Sequence, residues 1–127
     1  MRRTLSTLAA ALLAAASVSP ARAQVNIART PLPGESHLAN LRQLTNTGTQ
    51  AEAYFSRDGK WITFQSSRDG RPCDQQYVMK TDGTALKRVS NAEGQQPCGW
   101  FLPDGTPLFF GSSHAAGAAC PPPTDPS

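Results

Sequence analysis

Residues 54–68 return, 46 positions later, as residues 100–114, and a chain that repeats itself in this way is constrained to fold as an array of like units. The first copy reads Tyr54-Phe55-Ser56-Arg57-Asp58-Gly59-Lys60-Trp61-Ile62-Thr63-Phe64-Gln65-Ser66-Ser67-Arg68. The second reads Trp100-Phe101-Leu102-Pro103-Asp104-Gly105-Thr106-Pro107-Leu108-Phe109-Phe110-Gly111-Ser112-Ser113-His114. A second echo lies between them: Leu41-Arg42-Gln43-Leu44-Thr45-Asn46 returns as Leu86-Lys87-Arg88-Val89-Ser90-Asn91, at an offset of 45. The close offsets mark one unit of constant length.

Each unit reads as short antiparallel strands joined by turns. Asp58-Gly59, Asp82-Gly83 and Asp104-Gly105 are turn signals, because both residue types tolerate positive φ. Between them, residues 41–45, 53–55, 61–65, 76–80, 86–90 and 108–111 carry the apolar, aromatic and β-branched residues of strands. In residues 61–65, Trp61, Thr63 and Gln65 fall on one face and Ile62 and Phe64 on the other. Outside the extreme N-terminus no segment holds a helical period. Four short strands in a unit of this length predict an all-β fold of β-propeller blades.

The first 23 residues read as a secretory signal peptide: Arg2 and Arg3, an apolar run over 5–18, and Ala21-Arg22-Ala23, with cleavage between Ala23 and Gln24. Removing it takes Arg2, Arg3 and Arg22, so 12 basic residues become nine against nine acidic ones and the net charge falls from +3 to zero. The basic balance thus reports export, not a nucleic-acid partner, and no further span of membrane-crossing length follows. The expected location is periplasmic or secreted. There the three cysteines, Cys73, Cys98 and Cys120, are candidates for one disulfide with one thiol left over.

The predicted organisation is a signal peptide over 1–23, an extended lead-in over 24–37, an orphan outer strand over 38–46, a complete blade over 47–91 and an incomplete second blade over 92–127. The strand at 38–46 echoes the outermost strand of the blade that follows, yet no inner strands precede it. The tail after His114, with Pro121-Pro122-Pro123, is unsuited to a central strand. The chain therefore reads as the front end of a longer propeller. Within such a frame Cys73 and Cys120 share one type of loop and Cys98 precedes an innermost strand on the same side. Cys98 is then placed to reach either partner, with Cys73–Cys98 the favoured pair.

Phe55-Ser56-Arg57-Asp58-Gly59-Lys60-Trp61-Ile62-Thr63-Phe64, followed by Tyr77-Val78-Met79-Lys80-Thr81-Asp82-Gly83-Thr84 and by residues 86–90, resembles the TolB-like propeller repeat, also called the PD40 or WD40-like repeat. The first copy departs from the family turn in having Arg57 where proline is usual, whereas the second keeps Pro103. The resemblance covers residues 38–113. It implies an exported, non-catalytic scaffold that binds a protein partner in the periplasm or cell envelope. The alternative it leaves open is the gating or accessory propeller of an exported peptidase.

Catalytic motifs do not compete with that expectation. The sequence contains no G-x-S-x-G elbow, H-E-x-x-H pair, G-x-G-x-x-G loop or P-loop. His37 and His114 stand alone, and Ser66-Ser67 and Ser112-Ser113 read as strand-end polar residues. Each Asp-Gly turn offers a single carboxylate where calcium takes six to eight oxygens, so the aspartates read as structural and no cofactor or metal is implied. The aromatic residues read as packing between blades, with Trp100 a candidate stacking residue near a central channel.

Overall fold

The computed structural model describes residues 25–105 and 108–123, so the signal peptide and its cleavage site at Ala23 and Gln24 lie outside the described residues. The strands are β1 (Ile27–Ala28), β2 (Arg42–Gln43), β3 (Thr49–Phe55), β4 (Trp61–Ser67), β5 (Gln75–Lys80), β6 (Lys87–Arg88), β7 (Trp100–Phe101) and β8 (Leu108–Phe109). A 3₁₀ turn follows at His114–Ala116, and there is no α-helix among the described residues. The fold is all-β, and every strand pairing is antiparallel. One four-stranded sheet, in order β3-β4-β5-β6, stands between the two-stranded sheets β1-β2 and β7-β8.

The central sheet has two distinct faces. Pairing of Ile62 with Met79 and of Phe64 with Tyr77 sets these four side chains on one face, and they form the buried core. Phe64 and Tyr77 stack with ring centroids 5.8 Å apart. Leu86 packs against this core from the end of the sheet, and Leu44 from the N-terminal segment. The turn at Gly83 seats that segment, with Val25 O and Leu44 Cδ2 lying 3.1 and 3.5 Å from where a Cβ would project, and Asn26 Nδ2 donates to Asp82 O at 2.6 Å. The opposite face carries Tyr54, Trp61, Thr63, Gln65, Gln76 and Val78, and it meets the β7-β8 hairpin.

The backbone repeats more closely than the sequence does. Positive φ recurs at equivalent positions: Asn40 and Ala85 both at 55°, Glu52 and Cys98 both at 52°, and Gly59 and Gly105 at 68° and 83°. The Glu52 site is a β-bulge, where the β3–β4 register shifts between Ala51 and Tyr54. The Cys98 site repeats it. Trp100 pairs with Phe109, yet Gly111 N donates to Pro97 O and Ser113 N to Gln95 O, a register one residue out of step. Most surprising is β1. Gln43 and Arg42 are the counterparts of Arg88 and Lys87 in the second echo, and they pair with Ile27 and Ala28 as Arg88 and Lys87 pair with Tyr77 and Val78, so β1 takes the place of β5.

Two expectations change. The lead-in over 24–37 is not merely extended, because Ile27–Ala28 forms a strand; and the strand within 38–46 is not an orphan, because β1 pairs with it. Backbone pairing decides here: an unpaired β2 would leave its amide and carbonyl groups without partners, and β1 supplies them.

Candidate functional site

The interface between the central sheet and the β7-β8 hairpin gathers most of the residues singled out from sequence. Its floor is polar and buried. Gln76 Nε2 donates to Thr63 Oγ1 at 2.6 Å, and Thr63 Oγ1 to Tyr77 O at 3.2 Å. Gln75, opposite Ser66 on the core face, is buried too: Ser90 Oγ donates to its Oε1 at 2.7 Å, and its Nε2 to Gly94 O at 2.8 Å. From the hairpin side, Cys98 N donates to Gln65 Oε1 at 2.8 Å, while Gln65 Nε2 donates to Asp74 Oδ2 at 2.9 Å. Gly99 presses directly on the Gln76 amide. From the sequence Gln65 is placed only on the face of Trp61 and Thr63, and the hairpin laid across Gln65 and Gln76 is what covers them.

At one rim stands the disulfide. It joins Cys73 to Cys120 and leaves Cys98 free and half-buried. The favoured Cys73–Cys98 pair is therefore corrected. Cys98 occupies the bulge, where its N–H is held by Gln65, whereas the loop after β4 and the segment after the 3₁₀ turn converge from the two repeats. The bridge thus ties near-equivalent loops, 47 residues apart, across the interface.

At the other rim the two Asp-Gly turns of the hairpins stand side by side. Arg57, Asp58, Trp61, Pro103, Asp104 and Gly105 line an open groove of about 480 Å³ between them. Each turn is built the same way: Gly59 N donates to Ser56 O at 2.9 Å and Gly105 N to Leu102 O at 2.8 Å. In the first, Ser56 Oγ donates to Asp58 Oδ1 at 2.7 Å and receives the Trp61 N–H at 2.9 Å. The Ser56 hydroxyl and the Lys60 N–H hold the Asp58 carboxyl below the usual range. Asp82 repeats the device, its carboxyl lowered by the Thr84 hydroxyl and N–H, with Thr84 N donating to Asp82 Oδ1 at 2.8 Å. Gly83 supplies positive φ at that turn. Asp58 and Asp82 are thus engaged within their own turns, and no cluster of three or more His, Cys, Asp or Glu able to hold a metal occurs among the described residues.

Between the rims, Tyr54 meets its repeat equivalent Trp100 with centroids 5.5 Å apart. The Tyr54 hydroxyl donates to Glu52 across the bulge, and that hydrogen bond raises the phenol's pKa. Trp61, Val78, Val89, Phe101 and Leu108 enclose a second, smaller and more apolar recess.

Elsewhere the structure brings together residues that the sequence left apart. The Arg68 side chain is buried over the Tyr77 ring at 5.5 Å, donates from Nη2 to Thr47 Oγ1 at 2.8 Å and lies 4.0 Å from Asp69. His114, the Arg68 equivalent, is exposed, and its Nδ1 lies 2.7 Å from Ser112 Oγ. Sequence reasoning set no base beside Ser112. The 3₁₀ turn creates this contact, and the same hydroxyl receives the His114 N–H at 3.3 Å, which makes it a local turn. His37 joins none of these groups. No helix among the described residues is long and apolar enough to cross a membrane. No family model, curated protein or solved structure matches the chain.

Proposed function

We propose that this chain is an exported, non-catalytic stretch of TolB-like β-propeller and that it serves as a protein–protein interaction scaffold at the cell envelope. The recurrence of the same bulge and the same Asp-Gly turn in consecutive units, with matching backbone angles, supports blades in series. The groove between the turns at Asp58 and Asp104 is the observation that carries the binding function. It is open and lined by the apolar side chains of Trp61 and Pro103 together with the charged Arg57, Asp58 and Asp104. Apolar and charged side chains sharing one open groove suit an extended protein segment.

The test is site-specific photo-crosslinking in the exporting cell, with a benzophenone side chain at Arg57 or at Pro103. Both positions are exposed. The expected result is a discrete adduct with one envelope protein from both positions, weakened by Trp61→Ala. No adduct at either position in exported, folded protein would overturn the scaffold function.

A further inference from the structure

The described residues contain one whole blade and two complementary halves. β3-β4-β5-β6 is the whole. β1-β2 repeats the β5-β6 pair register for register, so it is the outer half of a blade. β7-β8 repeats β3-β4 in turn and bulge, so it is the inner half. The edge of β1 away from β2 and the edge of β8 away from β7 pair with no strand among the described residues. The two halves flank opposite faces of the central sheet and cannot meet within one molecule.

Burial at equivalent positions records what each half lacks. Thr63 on β4 is 0% exposed beneath the hairpin, while its equivalent Phe109 on β8 is 62% exposed. Conversely Phe101 is half-buried against the central sheet, while its equivalent Phe55 is 69% exposed on that sheet's other face. The bare face of one half is the repeat counterpart of a face that is covered elsewhere in the same molecule.

We infer that a second copy of this chain completes the blade: β8 of one copy pairs antiparallel with β1 of the next, in the β4–β5 register. That register sets Phe109 opposite Ala28 and Phe110 opposite Ile27, as Thr63 faces Val78 and Phe64 faces Tyr77. Phe55 of the second copy then moves against the bare face of β7-β8, continuing the interface already formed inside each chain. Each copy contributes two blades' worth of strands, so a ring of about four to eight blades closes with about two to four copies. This inference rests on the blade arrangement proposed above but not on the envelope partner.

The experiment uses the exported, processed chain with Cys98→Ser, and adds Ala28→Cys and Phe109→Cys, both at exposed positions. Residues directly opposite on paired strands hold their Cβ atoms about 4.5–5.5 Å apart, within disulfide reach. Oxidation is expected to give inter-chain disulfides only when both cysteines are present, and sedimentation of the unsubstituted chain to show a closed species of two to four copies. Phe55→Asp, at an exposed site, is expected to shift that species to monomer. Peptide mapping of the Cys73–Cys120 bridge reports separately on the contact within each chain. A monomer with that bridge intact and no inter-chain link overturns self-docking and leaves the blade arrangement standing. A chain without the bridge and without association overturns both.

Discussion

Replacing both Cys73 and Cys120 by serine tests the interface most directly. The bridge closes a loop of 47 residues. Chain-entropy bookkeeping for a loop of that length gives about 4 kcal/mol of destabilisation of the unfolded ensemble. A domain of this size is stable by only about 5–15 kcal/mol, so the loss is a large share of the whole. It falls on the hairpin, because the central sheet keeps its own core of Ile62, Phe64, Tyr77 and Met79. Urea unfolding followed by tryptophan fluorescence reads both parts, since Trp61 lies in the groove and Trp100 on the hairpin. With an m value of about 2 kcal/mol/M, the midpoint of the double variant is expected to fall by roughly 2 M relative to the oxidised chain. Cys98→Ser at the same protein concentration is the control and is expected to shift little. A loss below about 1 kcal/mol, against the 2–5 kcal/mol usual for a native bridge, would refute the claim that the bridge holds the two repeats together. Mapping a Cys73–Cys98 bond would refute its connectivity.

Three further outcomes follow from the local geometry. Gly99→Ala places a Cβ 2.4 Å from the Gln76 side-chain amide, which is fully buried, and is expected to cost about 1–3 kcal/mol by overpacking; an unchanged melting temperature would show that Gln76 has room to move. Ser56→Ala removes the hydroxyl that bridges the Trp61 N–H and Asp58, costing about 1–2 kcal/mol, and raises the Asp58 pKa back toward the usual carboxylate value, which a carboxyl-carbon NMR titration reads. Asp58 and Asp82 have depressed folded pKa values, so the stabilisation they give is present above the unfolded value of about 3.9 and is lost as pH falls through the folded one. The combined Asp58→Asn and Asp82→Asn variant is expected to flatten the acid limb of a melting-temperature profile, and an unchanged limb would count against the turn hydrogen bonds as its source.

What was legible in the sequence was local. The Asp-Gly turns announce themselves chemically, and alternation in residues 61–65 gave the faces of β4, with Ile62 and Phe64 in the core. β1 was invisible because Asn26, Ile27, Ala28 and Arg29 have little strand character, and it exists through pairing with β2. The recurrent bulge was invisible for another reason: Glu52 and Cys98 share a backbone angle and no chemistry. The glutamine floor was missed because polar residues on a strand normally mark its solvent side. Here the second repeat turns that side into an interior, which no window on the first repeat contains. Turns depend on their own residues, whereas bulges, burial and cross-links depend on what arrives later in the chain.

The placement of the cysteines also governs how the chain is made. Emerging from its N-terminus, it presents Cys73, then Cys98, and only afterwards Cys120. Closing the 25-residue span from Cys73 to Cys98 costs about 0.6 kcal/mol less chain entropy than closing the 47-residue span to Cys120. The Cys73–Cys98 loop is therefore both the earlier and the easier to close, and converting it to the finished bridge takes attack of the Cys120 thiolate on the Cys73 sulfur with Cys98 as the leaving thiol. Cys98, a bystander in the completed molecule, is thus the competitor that loop closure favours while the chain is being made, and its seat in the bulge is what withdraws it from that competition.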